Sequence, residues 1–249
     1  MSRLRELPEA HDDANDDEME VKQLEPDFQS LAKSLDVPDE LPVQWPHQIT
    51  RSLQLQVEDN VVLKDSWGAD FCRCTVDCYR NICPNASGPL FCASDNCSLM
   101  GKCSNSVYET KDVELFYAKT GVGVRATDTI LVGSTIAPYT GLLTDHDYFN
   151  DPVQHDAAIK RKKGKQLFID AEHWGTIARF INHSCDPNTE FIEMRHNREV
   201  QVMVIATRPI LRGDEVTIDY GEDLWFNCGC ESGICRGGNT FSRVSVAKA

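Results

Sequence analysis

The chain has 249 residues and a net charge of −14, enough length for one sizeable core with appendages. No run of 18 apolar residues occurs, which excludes a membrane-spanning helix. The acidity disfavours a direct grip on a phosphate backbone and suits a basic partner such as a lysine-rich tail.

Residues 1–40 carry thirteen Asp/Glu against four Lys/Arg. They lack an apolar leader stretch, so no secretory signal is expected and the chain is expected to stay inside the cell. Residues 1–45 read as an acidic disordered tail and linker, with a short helix around Phe28–Leu35. Residues 46–70 form an extended flank, in which Ile49–Leu63 partly alternates apolar and polar as a strand does.

From Phe71 the texture changes to Cys72-x-Cys74-x3-Cys78-x4-Cys83-x8-Cys92-x4-Cys97-x5-Cys103, with Gly, Pro, Asn and Ser between. So little apolar periodicity over 71–106 calls for a metal to hold the shape. Beyond it, over 107–222, short apolar runs are punctuated by turns. Val113–Tyr117, Gly123–Ala126, Thr129–Val132, Thr135–Pro138, Gln166–Asp170 and Glu199–Ala206 read as strands. Asp145–Lys165 is a polar insert, expected to be partly helical, with a basic run Lys160–Lys165. Glu172–Ile181 reads as a helical turn or two. No internal repeat is apparent, and the class is β-rich. Residues 223–240 hold the last cysteines, and 241–249 are a tail.

Eleven cysteines in such a chain are metal ligands before they are disulfides, and an odd number cannot pair completely. Two tetrahedral zinc ions need eight ligand places. The seven N-terminal thiols fill them if Cys78 bridges, giving Cys72, Cys74, Cys78, Cys83 for one ion and Cys78, Cys92, Cys97, Cys103 for the other. Cys228, Cys230 and Cys235 leave a third site one ligand short, and Cys185 is the remaining thiol.

That cysteine ends a polar stretch, Arg179-Phe180-Ile181-Asn182-His183-Ser184-Cys185-Asp186-Pro187-Asn188. Buried, Asn182 and His183 each need a partner, as in any satisfied core pair, or a ligand. Lys119-Thr120-Gly121-Val122-Gly123-Val124 lets a backbone approach a ligand closely, or is simply a turn. Thr217-Ile218-Asp219-Tyr220-Gly221 offers a tyrosine at a strand end.

Taken together, these segments resemble the SET-domain protein-lysine methyltransferases. The seven cysteines are similar to the AWS module that precedes some SET domains, and the last cysteines to the post-SET zinc module. The resemblance implies a SET fold with a C-terminal strand threaded through the Arg179–Asn188 segment, flanked by zinc modules holding three zinc ions. It implies S-adenosylmethionine as methyl donor, held by Gly121, Val122, Gly123, Tyr148, Arg179, Phe180, Asn182 and His183, with Trp225 or Phe226 near it.

The catalytic residue is then Tyr220. Leu167 and Ile218 stand where the family usually has pocket aromatics, which implies a wider lysine pocket and more than one methyl per lysine. Val122 also stands where the family has an aromatic. The AWS-like spacing implies a histone H3 tail or nucleosome as partner, first of all lysine-36, with weak DNA contact through Lys160–Lys165. That substrate implies location in the nucleus, on chromosomes. The alternatives are a catalytically silent SET module acting as a chromatin scaffold, or a methyltransferase for non-histone proteins.

Overall fold

The computed structural model describes residues 19–23, 43–64, 71–146, 157–161, 167–221, 224 and 226–237, and regular structure there is almost entirely strand. This is the strand-rich architecture expected. In chain order the strands are β1 (Met19–Gln23), β2 (Thr50–Arg51), β3 (Gln56–Val57), β4 (Val113–Ala118), β5 (Gly121–Ala126), β6 (Thr135–Tyr139) and β7 (Leu142–Thr144). They continue as β8 (Ala157–Arg161), β9 (Leu167–Asp170), β10 (Trp174–Gly175), β11 (Asn182–His183), β12 (Thr189–His196), β13 (Glu199–Ala206) and β14 (Glu215–Ile218). A short helix α1 (Pro84–Ser87) and a 3-10 turn (Ile177–Phe180) complete the set.

The strands form small sheets in the orders β1-β8-β9-β7-β3, β10-β2, β11-β14-β5-β4 and β12-β13-β6. β13 is Val- and Ile-rich and buried on both faces after Glu199, as a central strand requires. In β4, Val113 and Leu115 face the core while Glu114 and Phe116 stay half-exposed, the period-2 pattern of a one-sided strand. The core joins Leu115, Val124, Ile136, Tyr139, Leu143, Ile169, Phe180, Ile181, Val202, Val204, Val216, Ile218 and Tyr220.

Several sequence expectations change. Thr129–Val132 is a turn, not a strand: only Ile130 bridges to Ile210, because the chain reverses through Gly133 at φ +81. Within the polar insert, Ala157–Arg161 is a strand paired antiparallel with β9, and residues 147–156 and 162–165, on which the expected partial helix could fall, lie outside the described residues. Met19–Gln23, expected to be disordered, pairs antiparallel with β8. The expected helix Phe28–Leu35 lies outside the described residues. Between Ile49 and Leu63 only two exposed two-residue strands form. β7 and β12 were not foreseen.

An internal repeat, unforeseen in the sequence, is also present. Ala126-Thr127-Asp128-Thr129-Ile130-Leu131-Val132-Gly133 matches Ala206-Thr207-Arg208-Pro209-Ile210-Leu211-Arg212-Gly213, with Ala, Thr, Ile, Leu and Gly in common. The hydrogen bonds repeat reciprocally. Ile130 and Ile210 exchange both N–H···O bonds at 2.8 and 2.9 Å. Gly213 N–H donates to Ala126 O as Gly133 N–H donates to Ala206 O, at 2.8 and 2.7 Å. Ala126 N–H reaches Asp214 O as Ala206 N–H reaches Ser134 O, both at 2.9 Å. Each copy is a hairpin, a turn and a third strand, β4–β5–β6 and β12–β13–β14. The third strands are exchanged, since β6 pairs with β13 and β14 with β5.

The cysteine-rich segment has little regular structure besides α1 and packs its sulfurs into their own cluster. It docks on the β12–β13 hairpin. His196 is buried, with Nε2 2.7 Å from Asp95 Oδ1 and Nδ1 2.9 Å from Asn96 Nδ2. Phe91 meets the His196 ring edge-on at 5.5 Å.

Candidate active site

The site forms where β11 joins the sheet. β11 runs parallel to β14, with Asn182 opposite Thr217 and His183 opposite Ile218, and Ser184 N–H donates to Ile218 O. Asn188 locks the crossing. Its Nδ2 donates to Glu215 O at 2.8 Å, and its Oδ1 accepts from Thr217 N–H at 2.8 Å.

Past β14 the chain leaves the sheet, and Tyr220 turns into the core, 1% exposed. Its hydroxyl donates to Ile181 O at 2.7 Å and its N–H donates to His183 Nδ1 at 3.1 Å. Because Nδ1 accepts, the His183 ring proton belongs on Nε2, which lies 3.3 Å from Cys185 Sγ. Burial pushes the His183 pKa down, against the opposing pull of Asp219, so the ring is neutral at neutral pH. Phe226 closes over both groups, its ring 5.7 Å from His183 and 6.1 Å from Tyr220.

Beside this lies a cavity of about 450 Å³. Tyr117, Lys119 and Thr120 from the β4–β5 hairpin line one side, Asn182 and His183 another, and Gly229 and Cys230 a third. Glu215 lines it too, its Oε1 accepting from Asn182 Nδ2 at 2.9 Å. Burial pushes the Glu215 carboxyl above its ordinary range, and the Asn182 bond draws it back. Gly123 has a specific reason to be glycine: an added Cβ would lie 2.8 Å from Glu215 Oε1 and 2.9 Å from Asn182 Nδ2.

Of the expected donor-site residues, Asn182 and His183 line this cavity, and Gly123 abuts it through Glu215 and Asn182. Val122 is buried in the core, 7% exposed, and Gly121 opens β5 at φ +127. Arg179 and Phe180 sit in the buried 3-10 turn, the guanidinium 5.0 Å over the Phe180 ring and Phe180 edge-on to Trp45 at 5.5 Å. Leu167 and Ile218 are also core residues, 4% and 1% exposed. Tyr148, Trp225 and the basic positions Lys162–Lys165 lie outside the described residues. Glu215 and the Lys119–Glu231 ion pair across the cavity mouth were missed. The available signal was alternation: polar Glu215, Thr217 and Asp219 interleave with apolar Val216, Ile218 and Tyr220.

Ten of the eleven cysteines, all but Cys103, gather into sets of metal-ligand spacing. Cys72, Cys74, Cys78 and Cys83 lie with their sulfurs within 4.8 Å of one another, as do Cys185, Cys228, Cys230 and Cys235. The other mutual set is Cys72, Cys78, Cys92 and Cys97, where the spacing had suggested Cys103 in place of Cys72. Cys103 lies beside it, interacting with Cys78 and Cys92. Cys72 and Cys78 are both common to the two N-terminal sets, where the spacing had suggested Cys78 alone as the bridge. The Cys78 sulfur is 3.6 Å from Cys72 Sγ and 3.8 Å from Cys97 Sγ, too long for disulfides. Burial and the neighbouring sulfurs push the Cys78 thiol up, so thiolates crowded this closely need a cation among them. The donor sets fit tetrahedral zinc.

The C-terminal set is bound into the site. Cys185 directly follows Ser184, Arg236 N–H donates to Cys185 Sγ at 3.2 Å, and the Arg236 guanidinium pairs with Asp219.

Residues 121–221 match the SET domain family. This segment is a SET domain. Over 198 residues the chain is 30% identical to a histone-lysine N-methyltransferase, H3 lysine-36 specific, of Candida glabrata, covering 68% of this chain and 27% of that protein. It is 31% identical over 180 residues to histone-lysine N-methyltransferase Set2 of Drosophila melanogaster, covering 66% of this chain and 7% of that protein. A putative histone-lysine N-methyltransferase, ASHH4, of Arabidopsis thaliana is 28% identical over 244 residues, covering 90% of this chain and 68% of that protein. The chain thus spans about a quarter or less of the length of the first two. Within the SET domain, β5, the Asn182–His183 strand and Tyr220 all fall inside the matched residues.

Proposed function

We propose that the protein is an S-adenosylmethionine-dependent protein-lysine N-methyltransferase acting on a histone H3 tail, with lysine-36 the first target and more than one methyl added. The observation that carries this reading is the buried Tyr220 hydroxyl, bonded to Ile181 O beside the Asn182–His183 strand and its cavity. The relatives' names support the histone substrate, and those of the Candida glabrata protein support lysine-36. The absent aromatics at Leu167 and Ile218 support the higher methyl count. Action on a histone places the protein in the nucleus, on chromatin.

S-adenosylmethionine, held by Asn182, His183, the Gly121–Gly123 backbone and Phe226, supplies a methyl group activated by its sulfonium charge. The chain's own work is positioning. Tyr220 presents an oriented hydroxyl dipole at a dry wall, and the neighbouring Ile181 carbonyl adds negative partial charge where an amine and a sulfonium would approach. A lysine drawn into so buried a place loses its hydration, which favours the neutral, nucleophilic amine. Three zinc ions on the cysteine sets would hold the flanking modules, the C-terminal one fixing Phe226 and Arg236 against the site.

The test is incubation of purified protein with labelled S-adenosylmethionine and reconstituted nucleosomes, then mass spectrometry of each histone tail. Label on H3 lysine-36, lost in Tyr220→Phe, supports the proposal. Label on another lysine corrects the target. No label on nucleosomes, free histones or a lysate, with the cofactor still bound, makes the domain a silent chromatin scaffold.

A further inference from the structure

We infer that β1 is a self-inhibitory strand: the chain's own Met19–Gln23 fills the outer edge of β8, and a lysine-bearing substrate strand must displace it to be methylated. This rests on the proposed reading of the protein as a lysine methyltransferase and names what competes with its substrate. β8 pairs with β9 on one side and with β1 on the other, and β1 ends the sheet. It covers β8 along its whole length, from Met19 opposite Arg161 to Gln23 opposite Ala157. Without β1, β8 is a bare edge, a row of backbone N–H and C=O groups ready to pair with an extended chain. Main-chain pairing gives affinity without demanding one sequence, so another strand can replace the resident one.

The edge also lies level with the expected lysine pocket. Val21, Ile159 and Leu167 stand in one register row across β1, β8 and β9. Leu167 shares the core cluster with Ile218 and Tyr220. Neighbouring strands are about 4.8 Å apart, so a strand on the edge of β8 runs about 10 Å from β9. β1 occupies that level.

Its hold is replaceable. β1 is paired on one side only among the described residues, and an edge strand opens at lower cost than a central one. In the register Glu20 stands opposite Lys160, a placement of opposite charges that favours this pairing. Being tethered, β1 has a high local concentration, which lets a short strand compete with a free peptide. A resident docked about nine-tenths of the time weakens the apparent affinity of its competitor about tenfold.

The experiment compares the zinc-loaded full chain with its Val21→Pro/Lys22→Pro variant. Successive N–H groups of a strand point to opposite edges, so one of the two prolines must remove a bond to β8. Hydrogen–deuterium exchange of the 157–161 amides reads the pairing. Fluorescence anisotropy with a labelled histone H3 tail peptide, and initial rates on the same peptide, read the competition. The variant is expected to lose protection in β8, to bind the peptide about tenfold more tightly, and to lower KM correspondingly with kcat unchanged. A synthetic peptide of residues 16–26, added in trans, is expected to reverse the gain. Lost protection with KM and affinity unchanged overturns the inference, since β1 then merely caps the edge. Unchanged protection overturns it as well, because β1 would not be what holds β8. If neither form binds the peptide or transfers methyl to any histone, the methyltransferase reading itself falls, and this inference with it.

Discussion

The two copies of the repeated turn are built alike and end unlike. In the first, β5 passes through Gly133 into β6, and Tyr139 at its end stays in the sheet, opposite Val202 and edge-on to Phe191 at 5.6 Å. In the second, β13 passes through Gly213 into β14, and one more residue separates the glycine from Tyr220. That residue carries Tyr220 past the end of the pairing, where its N–H and hydroxyl turn to His183 and Ile181. β6 carries Pro138, which has no N–H to give a further strand. β14 has no proline, and its second edge takes up β11. Two fully buried tyrosines on similar scaffolds thus have different work because one scaffold ends in regular pairing and the other in a crossing.

The sharpest way to break this comparison is to remove each hydroxyl in turn. Tyr220→Phe is expected to lower the methyl-transfer rate at least ~100-fold, the scale of one oriented catalytic dipole. Tyr139→Phe is expected to leave the rate within a few-fold. Initial rates on nucleosomes, with circular dichroism to confirm folding, decide it; equal losses would mean that Tyr220 is only a second core tyrosine.

Removal of metal comes next and separates the two cysteine regions. Cys78→Ser, at one of the two sulfurs shared by both N-terminal sets, is expected to lower bound zinc by more than one ion per chain. Cys235→Ser should lose only one. Elemental analysis reads the stoichiometry. The N-terminal loss should loosen the docking on the β12–β13 hairpin. The C-terminal loss should leave the fold and abolish donor binding, because Phe226 and Arg236 would no longer be held against His183 and Asp219.

Much of this was open in the sequence. Asn182 and His183 stood out because so polar a stretch in an apolar context is costly to bury without a purpose, whereas Tyr220 stood out only through the resemblance of its flanking motif to the SET-domain family. The cysteines were countable because tetrahedral thiolate sites have fixed needs. The exchange of β6 and β14 was not, because the repeat is eighty residues apart and its matching residues are common turn and core types. Glu215 escaped for a related reason: an acidic residue near a turn looks like a solvated surface charge until the fold brings Asn182 and Gly123 to it. The choice of Cys72 or Cys103 as a mutual neighbour of Cys78, Cys92 and Cys97 depends on how loops without periodicity pack, which spacing does not encode.

Asn188 supplies a clamp on β14, and Asn188→Ala tests what it contributes. It removes two bonds to the β14 backbone and leaves Thr217 N–H without its partner. The cost should be about 1–2 kcal/mol, since two hydrogen bonds are lost and a half-buried donor is left without its partner. Urea denaturation would read it, and a loss under ~0.5 kcal/mol would show that β11 and β5 hold β14 without the clamp.

The smallest effect is the one that should be equal in both halves. Gly133 and Gly213 have φ of +81 and +90, and nothing lies within 4 Å of where a Cβ would be added at either. Alanine at each meets only the backbone penalty of the left-handed region, about 1–2 kcal/mol, with no steric contribution to tell the halves apart. Gly133→Ala and Gly213→Ala are therefore expected to shift thermal stability by the same few degrees. Activity should separate them. Gly213 opens the strand that delivers Tyr220, so a small displacement there reaches the hydroxyl, whereas the same displacement after Gly133 ends in a tyrosine held by sheet pairing. Equal stability loss with a larger rate loss for Gly213→Ala would place the functional difference in the strand ends. An unequal stability loss would mean that the two turns, despite their reciprocal hydrogen bonds, are not equivalent folding units.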